Sequence, residues 1–216
     1  MKIIIPAYIY PEIGSQWDII LNSSSSIVSD VIFNPDSGPS GQIISDYVEI
    51  VSRLKKKNIG TLGYVATTYG KKPISETLHE IEKYFEWYSV DGIFFDETAS
   101  DEENLPYYKE LYKEVKGKVI LNHGIVPYEG YMDASDVMVI FESGYQKHVT
   151  EKFPLWLKKY PKNKKYQIIH SCKSTQMQSA LIKCNYTSGY TYITDGSYSV
   201  LPTYYKNLMK QVSIIK

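Results

Sequence analysis

The stretch "VDGIFFDETAS", residues 90–100, decides how this chain is read. Val90, Ile93, Phe94 and Phe95 form a nearly unbroken apolar run around Gly92. It stops at two adjacent acids, Asp96 and Glu97. A short continuous apolar run marks a strand buried on both faces, as in a parallel sheet. A carboxylate ending such a strand is costly to desolvate unless it is paired or hydrogen-bonded. It either caps the next helix or belongs to a site that uses it.

Working outward, "DGIFFD" (91–96) is the fourth of eight similar runs. The others are "KIIIPAYIY" (2–10), "SDVIFN" (29–34), "IGTLGYV" (59–65), "KVILN" (118–122), "DVMVIFE" (136–142), "YQIIHS" (166–171) and "SGYTYIT" (188–194). Between them the apolar period lengthens to that of a helix. Ile44, Tyr47, Val48, Val51 and Leu54 keep it in 42–57, and Leu78, Ile81, Phe85 and Tyr88 keep it in 76–88. Segments 103–116, 174–184 and 203–215 also read as helices, and 15–22 as a short one. The segments near 128–133 and 147–159 carry the weakest helical pattern, the latter broken by Pro154. Strands alternating with helices predict a parallel sheet with right-handed crossovers. Eight repeats in 216 residues predict an α/β fold, a compact (β/α)8 TIM barrel forming one domain over 1–216. An open doubly wound sheet is the alternative.

The formal net charge is zero, so neither nucleic acid nor an anionic membrane surface is an expected partner. No apolar run approaches the ~18 residues of a membrane helix. "MKIIIPAYIYP" lacks a small-residue cleavage site and is interrupted by Pro6, so it does not read as a signal peptide. There are 21 tyrosines against 6 phenylalanines, a bias that suits either AT-rich coding or a carbohydrate-stacking surface. Cys172 and Cys184 flank a predicted helix. About ten helical residues separate two positions by ~15 Å, and a disulfide needs Cα atoms within ~7 Å. Two free thiols are expected, which leans toward a reducing compartment.

In a barrel of this kind the chemistry sits at the C-terminal strand ends. Those positions hold Tyr8 and Tyr10; Asn34; Tyr64, Thr67 and Tyr69; Asp96 and Glu97; Asn122 and His123; Glu142, with Tyr145 just beyond; His170; and Asp195. Asp96, Glu97 and Glu142 directly follow apolar strands four and six. Alternate strands feed the same side-chain layers, so these acids can face each other across the mouth. Two carboxyls about 5–10 Å apart are the machinery of most glycoside hydrolases. Tyrosines there suit sugar faces, and asparagines suit hydroxyls. Successive strand residues face opposite ways. Counting both strands from Asp91 and Asp136 puts Glu97 level with Glu142, and a one-residue shift favours Asp96 instead. His79, His123, His148 and His170 show no metal-ligand spacing, and no phosphate-binding glycine motif appears, so neither metal nor cofactor is expected. "TDGSYS" (194–199) offers a weak phosphate-loop alternative and otherwise reads as a loop.

"PAYIYP" (6–11), Trp17, "VIFNPDSGP" (31–39), "LGYVATTYG" (62–70), "YFEWYSVDGIFFDE" (84–97), "YYKELYKEV" (107–115) and "MVIFESGY" (138–145) occur in order. Together they resemble the spherulin-4-like family, glycoside hydrolase family 135, over residues 3 to 145. The resemblance implies a (β/α)8 glycosidase. Its relatives are endo-acting α-1,4-N-acetylgalactosaminidases that cut galactosamine-rich exopolysaccharide, and it leans to retention and to a secreted or cell-surface setting. By that analogy Asp96 is nucleophile or charge stabiliser, Glu142 is general acid/base, and Glu97 is a supporting or substrate-binding acid. This chain has "NHG" (122–124) where the family carries N-P-G, and Lys71 or Lys72 where it carries arginine. Arginine binds carboxylates bidentately and lysine does not, so substrate contacts can differ. The expected partner is a carbohydrate polymer. The alternative is a non-catalytic glycan-binding or surface protein on the same barrel.

Overall fold

The computed structural model describes residues 1–12 and 14–215. Eight strands are present: β1 (Lys2–Ala7), β2 (Val28–Phe33), β3 (Gly60–Ala66), β4 (Gly92–Asp96), β5 (Lys118–Asn122), β6 (Val137–Gly144), β7 (Lys165–His170) and β8 (Tyr190–Ile193). They pair in parallel in chain order, and β8 pairs back onto β1, so the sheet closes into the expected barrel rather than an open sheet. Around it lie α1 (Gln16–Leu21), α2 (Ser45–Lys56), α3 (Ile74–Lys83), α4 (Leu105–Glu114), α5 (Tyr145–Thr150), α6 (Ser174–Thr187) and α7 (Tyr205–Ile214).

Two connections depart most from a plain helix. Between β5 and β6 the chain makes only a 3-10 turn, Glu129–Asp133. Pro127 and Gly130 leave too short an uninterrupted run to nucleate an α-helix. Between β6 and β7, α5 ends before Pro154, which cannot donate an interior helical hydrogen bond, and two 3-10 turns complete the crossover.

Side chains facing out of the barrel meet the helices. Tyr47, Ile50, Val51 and Leu54 of α2 are buried against it. Phe33 of β2 stacks on Tyr47 at 5.5 Å and meets Tyr84 edge-on at 5.6 Å. Tyr84 lies on the backbone of Gly63, where an added Cβ would come within 2.5 Å of its ring. Only glycine permits that approach, and burying each such ring is worth about 1.5–3 kcal/mol.

Side chains facing in fill the barrel. At its N-terminal end Lys118 of β5 reaches across to Asp30 of β2, with Nζ 2.6 and 2.7 Å from the two carboxylate oxygens. Two strand-leading acids brace the same end. Asp91 accepts from the amide and hydroxyl of Thr61, and Asp136 accepts from the Val119 amide. One irregularity affects the opposite end. The register of β6 against β7 jumps between Val139 and Phe141, leaving Ile140 as an extra residue, a β-bulge.

Candidate active site

The C-terminal ends of β4, β5 and β6 place Asp96, Asn122 and Glu142 side by side. Asn122 Nδ2 donates to Asp96 Oδ1 at 2.7 Å and to Glu142 Oε2 at 2.6 Å. Two such bonds to one nitrogen keep those oxygens within about 5.3 Å of each other. Tyr64 of β3 donates to Asp96 Oδ2 at 2.8 Å, and Tyr198, from the loop after β8, donates to Glu142 Oε1 at 2.5 Å. Every oxygen of the two carboxylates thus meets a neutral donor, and among the described residues no lysine or arginine bonds to either.

Tyr8 completes the cluster. Its ring stands edge-on to Tyr64 at 5.4 Å and to Tyr198 at 5.7 Å. Its amide donates to the Tyr198 carbonyl, which ties the β8–α7 loop to the end of β1. Burial holds the Glu142 carboxyl above its ordinary range, and the Asp96 charge adds to the rise. The hydrogen bonds from Tyr198 and Asn122 and the nearby His170 oppose it. Burial, joined by the charges of these acids, pushes the phenols of Tyr8, Tyr64 and Tyr198 up, so they stay protonated donors. Glu142 is therefore the acid of the pair whose surroundings raise its affinity for a proton.

Glu97 faces elsewhere. Its φ of +49° takes it out of the strand into the left-handed region, and its side chain is exposed. Its carbonyl accepts from the Tyr69 amide and the Thr67 hydroxyl. The bulge at Ile140 explains why strand counting favours it: one extra residue in β6 brings Glu142 level with Asp96 instead.

The other sequence candidates divide. His170 lies close enough to Glu142 to lower its pKa and hydrogen-bonds Ser171. Tyr69 is 58% exposed on a left-handed turn beside Glu97. Tyr145 opens α5 and is half-buried. Several residues expected at the sugar hydrogen-bond other parts of the protein. Thr67 is fully buried and bonds the Asp96 and Glu97 carbonyls and the Tyr108 hydroxyl. The His123 ring is buried edge-on to Tyr131 at 4.6 Å, with Nδ1 donating to the Ala99 carbonyl at 2.7 Å, and burial lowers its pKa to about 3. Asn34 accepts from the Gly38 amide within its own loop. Asp195 accepts from the amide and hydroxyl of Thr203, a brace within its loop. Tyr10 is half-exposed and donates to Asp46 of α2 at 2.8 Å, at the outer edge. Lys72 pairs with Glu80 at 2.5 Å and donates to the Ala66 carbonyl. Tyr198 is the residue the sequence reading missed. It lies in the "TDGSYS" loop, where no periodicity marks it, and only the fold brings it to Glu142.

Among the described residues no three His, Cys, Asp or Glu side chains are grouped to hold a metal ion, and no helix is long and apolar enough to cross a membrane. Both cysteines are buried free thiols. A surface cleft of about 600 Å³ beside Leu78 and Phe85 lies between helices. Its acids Glu82, Glu86 and Glu114 are solvated. The site is located by its chemistry, not by cavity size.

A closed parallel (β/α)8 barrel with two shielded acids at its C-terminal mouth has the construction that glycoside hydrolases use. Residues 2–212 match the spherulation-specific family 4, Spherulin4, and the chain belongs to that family. It is 30% identical to Spherulin-4 of Physarum polycephalum over 227 aligned positions, covering 94% of this chain and 68% of that protein. The crystal structure of Aspergillus clavatus Sph3 in complex with GalNAc superposes with a TM-score of 0.87 at 26% identity, covering 98% and 97% of the two chains. A chitinase from Chromobacterium violaceum shares the fold at a TM-score of 0.62 and 10% identity, covering all of both chains.

Proposed function

We propose that this chain is a retaining glycoside hydrolase that cuts within an N-acetylgalactosamine-containing polysaccharide. The observation that carries the reading is the Asp96–Asn122–Glu142 bridge. A separation of about 5–5.5 Å between the acids suits direct attack on the sugar, whereas activating a water needs about 6.5–9.5 Å. The two facing oxygens lie within about 5.3 Å of each other, which is in keeping with the first geometry. The likeness to Sph3, solved with GalNAc, supports the sugar.

In the first step Asp96 attacks the anomeric carbon as the glycosidic C–O bond breaks. Glu142 gives its proton to the departing oxygen. In the second, Glu142 takes a proton from water, whose oxygen bonds the anomeric carbon as the bond to Asp96 breaks. Glu142 ends protonated and Asp96 ionised, as they began. The edge-on tyrosines Tyr8, Tyr64 and Tyr198 form an aromatic wall suited to a sugar face. Exposed Glu97 and Tyr69 at the rim are placed to meet sugars further along a polymer.

The test is digestion of purified GalNAc-containing polysaccharides by the wild type, with product masses read and the anomeric configuration of fresh ends followed by proton NMR. Oligosaccharides with retained configuration are expected. Inverted ends would overturn the direct-attack mechanism, and no cleavage of any such polymer would overturn the substrate class.

A further inference from the structure

We propose that Asn122 is a positioning residue: its amide is a fixed clip that holds Asp96 and Glu142 together and reserves Glu142 Oε1 for the transferable proton. This rests on the two-carboxylate reading above.

The argument begins with the direction of the amide. Asn122 Oδ1 accepts from the Gly124 amide at 3.1 Å. An amide oxygen only accepts and an amide nitrogen only donates. The flipped orientation would set Oδ1 against two carboxylate oxygens and Nδ2 against an N–H. The Gly124 amide therefore locks the NH2 group toward the acids. That group has two hydrogens, and each has one carboxylate as partner. Nothing is left over for a substrate hydroxyl. Asn122 thus works on the acids rather than on the sugar.

The proton follows from the same inventory. Glu142 Oε2 faces an amide hydrogen and accepts it whether the acid is charged or neutral. The acidic hydrogen then belongs on Oε1, beside the Tyr198 hydroxyl. Burial raises the phenol of Tyr198, so it keeps its own proton and does not drain that of Glu142.

The clip is anchored through the backbone. Gly124, at φ +67°, donates its amide to Asn122, and its carbonyl accepts from the Glu142 amide at 2.8 Å. The Asn122 carbonyl accepts from the Thr98 amide at 3.1 Å, two residues beyond Asp96. His123 adds its bond to the Ala99 carbonyl. The "NHG" turn thereby joins the ends of β4 and β6. Where a proline would stiffen this turn by fixing φ, the neutral imidazole stiffens it with a hydrogen bond.

The test compares the wild type with Asn122→Ala and the near-isosteric Asn122→Asp. It uses carbon-13 NMR titration of the Glu142 carboxyl together with kcat and KM across pH. Losing a hydrogen bond to the charged form moves the Glu142 midpoint up by about one pH unit. Asn122→Asp adds a third charge and moves it further. We expect kcat to fall at least about tenfold and KM to change less than about threefold. An unmoved Glu142 midpoint in both variants, or a loss confined to KM, overturns the clip. The titration needs no turnover, so the clip is tested even if the wild type cuts no glycan. Conversely, a hydrolysing wild type with an unmoved midpoint sinks the clip and leaves the glycosidase reading intact. Should Asn122→Ala fail to fold, Asn122→Asp carries the same titration.

Discussion

The two ends of this barrel bury carboxylates in opposite ways. At the N-terminal floor, Asp30 is 2% exposed and faces a lysine, with Lys118 Nζ bonded to both of its oxygens. At the C-terminal mouth, Asp96 and Glu142 face an amide and two phenols, all neutral. The floor cancels its charge inside one ion pair, and the result is a brace. The mouth supplies hydrogen bonds from neutral groups and no bonded ion pair among the described residues. Burial, with a second carboxylate alongside, raises the proton affinity of Glu142 against the opposing influence of these hydrogen bonds and of His170. Left-handed residues follow strands β2, β3, β4, β5 and β7, at Ser37, Tyr69, Glu97, Gly124 and Ser171, and two more, Asn58 and Ser89, precede β3 and β4 at the floor end. Strained conformations of this kind persist where the surroundings over-determine them, commonly at functional sites.

The sharpest way to break the contrast is to neutralise each mouth acid without changing its shape. Asp96→Asn and Glu142→Gln are each expected to lower kcat by about 10³-fold or more. Far-UV circular dichroism should stay unchanged. Full activity in either variant removes that residue from the chemistry.

The floor should give the reverse pattern. Lys118→Met leaves Asp30 buried without its partner, at a cost of about 3 kcal/mol. A melting temperature lower by about 10 °C is expected, with turnover per folded molecule unchanged. Asp30→Asn in the same chain should restore most of the loss. A Lys118→Met chain as stable as the wild type would mean the floor pair contributes nothing.

A smaller effect separates the ends by pH. In the proposed mechanism Glu142 is the proton donor, so kcat/KM should fall as pH rises through its raised pKa. The alkaline limb should therefore lie above the ordinary glutamic acid value of 4.5. The same shift affects stability. A raised folded-state pKa contributes stability that is present below the unfolded value and lost as pH climbs through the folded one. Glu142→Gln escapes that loss, so its melting temperature should gain on the wild type between pH 4 and pH 8. A constant difference across that range would contradict the raised pKa.

The smallest effect concerns the thiols. Burial raises Cys172 to about 11 and Cys184 to about 12. Neither is expected to react with Ellman's reagent in the native protein, and both should react in strong denaturant. Rapid native labelling would mean that the layer of β7, β8 and α6 opens readily.

Much of this was legible in the chain itself. The eight apolar runs coincide with the eight strands to within a few residues, because strands buried on both faces leave a continuous signal. "FFDETAS" and "FESGY" mark the mouth because an acid directly after such a run has few structural uses. Less was legible where partners are remote. Thr67, His123, Asn34 and Asp195 sit at strand ends as a substrate contact should, yet each is occupied by backbone or loop groups that the sequence does not place nearby. Tyr198 shows the converse, a loop tyrosine whose partner Glu142 lies 56 positions away.

The choice between Asp96 and Glu97 divides the two kinds of information most clearly. Local periodicity determined the strands, their order and the neighbourhood of the acids, because burial imprints a repeat on neighbouring residues. It could not decide which acid turns inward, because one bulged residue at Ile140 reverses the parity of everything after it. Nor could it show Asn122 between the acids. That bridge exists only once three strands close side by side and the Gly124 amide sets the direction of one side-chain amide.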